Sequence, residues 1–190
     1  MELLLIFLSY LAGSVNVPIL VGRLRGFDIR ERDIAGTSGV FRQVGVGWGM
    51  GVLLLELGKG ALAAWLSGFG AEWAAPLCAI AVVSGHIWPV FFGFRGGGGL
   101  AAAAGFALFA LTAQTLQAAL VMAAMVGVYF AIFKKDRLTG LGSVPFGAIF
   151  GFVYLLWAAR DLPFGSLTVL ALILPMAYRG LLVLLGRWKG

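Results

Sequence analysis

Residues 85–99, GHIWPVFFGFRGGGG, place a histidine, a proline, an arginine and four consecutive glycines between two long apolar runs. None of these types suits the middle of a membrane-spanning helix. Glycine widens the accessible backbone angles, so a turn at Gly96, Gly97, Gly98 and Gly99 can offer N–H groups to a ligand, and Arg95 beside it makes that ligand an anion. A second segment, Gly36-Thr37-Ser38-Gly39 followed by Arg42, carries the same chemistry. Backbone N–H groups cradle phosphate, and arginine pairs with it bidentately. Taken singly, each segment also fits an ordinary turn.

His86 stands just before the glycines, as general base or as donor to a bound phosphate. The alternative is a structural histidine bonded to a backbone carbonyl freed near Pro89. As the only histidine of the chain, it rules out a multi-histidine metal site. Glu56 and Lys59 fall on one helix face by their spacing. Either they form a polar relay or substrate contact, or they neutralise each other and fix helix packing.

The elements that position these residues follow from composition. The chain is 61% hydrophobic and 12% charged, about half the usual soluble charge fraction of roughly 25%. A soluble core cannot absorb that much apolar surface, so an all-α integral membrane protein is expected, with residues 1–190 as one membrane domain. The lone Cys78 excludes an intrachain disulfide. Spans need about 20 apolar residues each. They read as Leu3–Gly22, Val44–Gly68, Trp73–Phe94, a short tightly packed span from Leu100, another ending at Phe133, Leu138–Ala159, and Leu162–Tyr178 or as far as Leu185. Thr112, Gln114, Thr115 and Gln117 mark the turn between the fourth and fifth.

Lys and Arg in the loops set orientation. Arg23, Arg25, Arg30, Arg32, Arg42, Arg95, Lys134, Lys135, Arg137, Arg179, Arg187 and Lys189 fall on one side, and Arg160 alone on the other. Seven spans then put the N-terminus outside and the C-terminus in the cytoplasm. Met1–Tyr10 has no basic region of the kind that opens a secretory signal. The net charge of +6 reads as this topological bias plus attraction to anionic membrane lipids, with no nucleic-acid platform. The loops at 23–43 and 95–99 share the cytoplasmic face, where together they would form a phosphate pocket at the lipid border.

These residues resemble the bacterial acyl-phosphate:glycerol-3-phosphate acyltransferases, the PlsY family, over nearly the whole chain. Tyr10-Leu11-Ala12-Gly13-Ser14-Val15 is similar to the family's first-helix motif, Gly36 to Arg42 resembles G-A-T-N-x-x-R, and Leu55 to Gly60 resembles L-D-x-x-K-G. Gly85 to Phe91 and Phe94 to Gly99 are similar to G-H-x-x-P-V-F and F-K-G-G-K-G. Leu141 and Ser143 match part of S-L-A-S, and Arg179 with Leu184-Leu185-Gly186 weakly resembles the C-terminal motif. The resemblance implies transfer of an acyl chain from acyl phosphate to glycerol 3-phosphate, giving lysophosphatidic acid, in a bacterial inner membrane, without metal or organic cofactor. It implies His86 and Arg42 as catalytic residues, Gly36–Gly39 and Arg95–Gly99 as the phosphate site, and Glu56, Lys59, Ser143 and Arg32 as polar support.

The chain departs from the family pattern at several points. Glu31-Arg32-Asp33-Ile34 stands where the family has G-S-G-N, which removes a serine. Arg32 is placed to replace lost charge. Gly98, Ala102 and Gly140 stand for a lysine, a threonine and a serine, and the C-terminal asparagine has no counterpart. The rival reading is a non-catalytic paralogue that binds lipid or a membrane partner. A small transporter fits less well, because its site should lie near the midplane.

Overall fold

The computed structural model describes residues 1–133 and 142–186. Every regular element among them is helical: α1 (Glu2–Ser14), α2 (Val17–Leu24), α3 (Thr37–Gln43), α4 (Val46–Ser67), α5 (Ala74–Ile87), α6 (Leu100–Ala110), α7 (Thr112–Phe133), α8 (Ser143–Ala158) and α9 (Gly165–Leu184). Among the described residues, five stretches are long and apolar enough to cross a membrane: Glu2–Leu24, Val46–Ser67, Ala74–Phe92, Thr112–Phe133 and Gly165–Leu184. Leu100–Ala110 and Ser143–Ala158 are shorter apolar helices. Lys134, Lys135, Arg137, Gly140, Leu141, Arg187 and Lys189 lie outside the described residues.

Small residues decide which helices touch. Helices α4 and α6 approach so closely that a Cβ on Gly60 would strike the Ala102 carbonyl, and one on Gly105 would strike the Leu57 carbonyl. Helices α1 and α5 cross in the same way, Gly13 against the Val82 carbonyl and Gly85 against the Tyr10 carbonyl. Lipid gives helices no hydrophobic reason to associate, so backbone approach and packing supply the attraction. The core between them is Val82, Val83, Ile87, Ala103 and Phe106.

The first apolar stretch is not one uninterrupted helix. It breaks at Val15–Asn16. Asn16 caps α2, its Oδ1 accepting from Ile19 N at 3.3 Å, and Pro18 follows in the first turn of α2, where its missing N–H costs nothing. Hydropathy does not register this break, because capping by one asparagine inside a span leaves it high. The break lies beside Glu56, Lys59 and His86.

Candidate functional site

The break strands backbone groups in an apolar bundle, and α4 satisfies them. Lys59 Nζ donates to Gly13 O at 3.1 Å and to Val15 O at 3.0 Å. Glu56 Oε1 accepts from Val17 N at 3.3 Å. Glu56 is fully buried and Lys59 is 8% exposed. They pair at 2.8 Å, as a buried charge in this setting requires. Thus one helix turn of α4 caps both halves of the broken first stretch.

His86 closes the cluster from α5. Its Nδ1 lies 2.9 Å from Lys59 Nζ and 2.8 Å from Glu56 Oε2. Both contacts fall on Nδ1, a donor on one side and a carboxylate on the other. Nε2 is the ring nitrogen turned toward Gly97. The ion pair replaces the expected partner, a carbonyl freed near Pro89. The backbone of His86 works as well: its carbonyl accepts from Asn16 Nδ2 at 3.2 Å and from Gly97 N at 3.2 Å.

The glycine loop folds back onto the end of α5. Gly96 N donates to Ile87 O at 2.9 Å, and Gly97 N to His86 O. The expected cradle of N–H groups from Gly96 to Gly99 is therefore halved, because the first two are engaged within the fold. Gly97 sits where any Cβ would strike His86 Nε2 and the Ala35 carbonyl. The segment before α3 and the glycine loop therefore touch. Gly36 is the N-cap of α3, and the Thr37 hydroxyl is buried with no hydrogen-bond partner among the described residues. Gly39 packs against the Ile34 carbonyl, while Ser38 is exposed.

The arginines are arranged differently from expectation. Arg42 is held by Asp33 in a bidentate pair, Nε to Oδ2 at 2.9 Å and Nη2 to Oδ1 at 2.7 Å. The Arg42 guanidinium holds the Asp33 carboxyl below its ordinary range. Arg30 is the arginine that reaches the glycine loop. Its Nη1 donates to Phe92 O at 2.9 Å and Arg95 O at 3.1 Å, while Asp28 grips its other edge at 2.6 Å. Arg95 is exposed. Arg32 stacks its guanidinium on Phe27 of its own loop, 4.3 Å from the ring centre. Ser143 begins α8, which packs on α7 and α9, and it hydrogen-bonds to neither loop among the described residues.

Sequence reasoning passed over Asn16, Asp28, Arg30 and Asp33. The signals were there: an asparagine inside an apolar span, and acidic residues two and nine positions before arginines. Among the described residues no group of His, Cys, Asp and Glu is placed to hold a metal.

The chain is similar to known proteins along its length. Residues 3–185 match the family model described as glycerol-3-phosphate acyltransferase. Glycerol-3-phosphate acyltransferase 2 of Deinococcus radiodurans is 42% identical over 147 residues, covering 75% of this chain and 74% of the relative. Glycerol-3-phosphate acyltransferase 1 of Dehalococcoides mccartyi is 36% identical over 178 residues, covering 89% and 82%. The crystal structure of PlsY (YgiH), an integral membrane glycerol 3-phosphate acyltransferase in its glycerol 3-phosphate form, superposes with a TM-score of 0.73 at 28% identity, over 98% of this chain and 93% of that one. Its lysophosphatidic acid form gives 0.72.

Proposed function

The chain belongs to the glycerol-3-phosphate acyltransferase family, and on that premise we propose that it is a multi-pass membrane enzyme that moves an acyl chain from acyl phosphate to glycerol 3-phosphate, giving lysophosphatidic acid for phospholipid synthesis. The observation that carries this reading is the meeting of two phosphate-type loops, Ala35 against Gly97, beside a buried polar cluster. Acyl phosphate is already activated. The glycerol 3-phosphate hydroxyl attacks the acyl carbon, the new ester C–O bond forms, the bond to phosphate breaks, and the hydroxyl proton leaves with the phosphate. The protein then has to orient two anions and stabilise charge.

His86 acts here as donor through Nε2, with Lys59 and Glu56 holding Nδ1. Thr37, with its unsatisfied hydroxyl, and the N–H groups that open α6 complete the phosphate contacts. Arg42 and Arg95 supply cationic charge, Arg42 steadied by Asp33. Glu56 and Lys59 hold the cluster, and Ser143 and Arg32 have only an outer supporting place. The acyl chain has an apolar groove of about 390 Å³ between α5 and α9, lined by Ile80, Ser84, Trp88, Leu174, Pro175 and Tyr178. Residues 1–190 form one membrane domain of seven spans in a bacterial inner membrane, N-terminus outside, with both loops on the cytoplasmic face.

The test is transfer by purified full-length protein from palmitoyl phosphate to glycerol 3-phosphate, with glycerol and other polyol phosphates in parallel. Lysophosphatidic acid formation that needs the phosphorylated acceptor supports the reading. Binding of lipid without turnover of any acceptor would favour a non-catalytic paralogue.

A further inference from the structure

Four glycines stand in a row at 96–99, and the structure explains three of them. A side chain at Gly96 would strike the His86 carbonyl, and one at Gly97 would strike the Ala35 carbonyl and His86 Nε2. Gly99 has φ +84°, and an added Cβ would lie 2.9 Å from Val83 Cγ1, so both conformation and space disfavour a side chain. Gly98 is unlike them. Its φ is not in the left-handed region, and an added Cβ would meet one atom within 4 Å, Arg179 Nη1 at 4.0 Å. The loop is therefore open at this one position, and a guanidinium forms the opposite wall.

Arg179 is an unusual residue for its helix. Helix α9 is otherwise uncharged from Gly165 to Leu184, and Arg179 is only 9% exposed. A buried cation in a membrane-spanning segment is costly, and such residues face the bundle interior and mark substrate paths. The neighbouring Gly97 packs against His86 Nε2, and α6 begins two residues after Gly98.

We infer that Arg179 is a phosphoryl-binding residue, and that the opening above Gly98 is the space its ligand occupies. The inference rests on the transferase reading and deepens it. The ligand chemistry is a phosphoryl dianion, which both acyl phosphate and glycerol 3-phosphate present. A guanidinium suits it because its planar fork matches two phosphate oxygens.

Michaelis constants for palmitoyl phosphate and for glycerol 3-phosphate are measured separately on wild type, Arg179→Gln, Arg179→Lys and Gly98→Asp. Arg179→Gln should raise one of the two constants roughly tenfold or more, with a smaller effect on kcat. The constant that moves identifies which substrate supplies the phosphoryl group. Arg179→Lys should recover part of the loss, since the charge stays and the fork goes. Gly98→Asp sets a carboxylate against the guanidinium in space that accepts it. It should raise the same constant with Arg179 intact, which keeps the test decisive where Arg179→Gln does not fold. Unchanged constants in folded variants would overturn the inference. If wild type transfers no acyl group, the transferase reading fails by itself, and calorimetry with inorganic phosphate decides this one. Binding by wild type that weakens in Gly98→Asp sustains it; no binding, or equal binding, overturns it.

Discussion

Asp33 shows how a single side chain sets the use of another. It takes the Nε and Nη2 edge of Arg42, which fixes the guanidinium and leaves Nη1 for a ligand. Two outcomes are open to Asp33→Asn. If the carboxylate mainly neutralises Arg42, the variant should bind phosphate more tightly. If it mainly orients Arg42, the variant should bind more weakly, and the bidentate geometry argues for this. The expected result is a several-fold higher KM for a phosphorylated substrate, read by initial rates; a lower KM would show that Asp33 competes with substrate. Acid should mimic the change. The Asp33 carboxyl is depressed by Arg42, so the contribution of the pair to stability is present above the ordinary aspartate value, about 3.9, and is lost as pH falls through the depressed value. The Arg42 side chain is 54% exposed, so solvent screens the pair and the effect on stability is about 1 kcal/mol or less.

At the scale of elements, the link between α4 and the broken first stretch carries the most consequence. Glu56 and Lys59 could be placed on one buried face from their spacing alone, and the glycine loop announced itself by composition. What they were buried against was not legible. The break at Val15–Asn16 depends on Asn16 being at once a cap for α2 and a donor to His86 O, and the second partner lies 70 residues away. Likewise, the N–H groups of Gly96 and Gly97 looked available until the end of α5 folded against them. Glu56→Gln and Lys59→Met should each lower the thermal midpoint in detergent, since each leaves an unpaired buried charge. The double variant should be milder than the sum of the two. It should remain less stable than wild type, because Gly13 O and Val15 O lose their donor. Strict additivity would show that the two residues do not act as a pair.

At the scale of the whole molecule, many large apolar side chains of the helices are exposed, and the Lys and Arg of the loops predict which face lies in the cytoplasm. Such a prediction can be made from sequence, because the cost of moving Lys and Arg across a membrane acts on the chain irrespective of its packing; it was legible as an expectation. The pairing of helices was not, since it depends on which glycine meets which backbone, as Gly60 meets Ala102 and Gly105 meets Leu57. With Cys78 replaced by serine, a cysteine at Glu72 should react with an impermeant thiol reagent added outside intact cells, and one at Arg25 should not. Both positions are exposed. Reaction at Arg25 alone would invert the topology and move the site to the outer face.

The central claim is that the segment before α3 and the glycine loop make one acyl-transfer site by touching at Gly97. Gly97→Ala would force a methyl group between Ala35 O and His86 Nε2 and push the loops apart. Gly51→Ala, on an exposed face of α4 with nothing within 4 Å, is the matched control. The measurement is the initial rate of lysophosphatidic acid formation from palmitoyl phosphate and glycerol 3-phosphate by wild type and these two variants. The account predicts product from wild type and Gly51→Ala at similar rates, and a loss of roughly a hundredfold in Gly97→Ala, as an ångström-scale misplacement produces. A folded Gly97→Ala that matches wild type would contradict it, as would a folded wild type that forms no product.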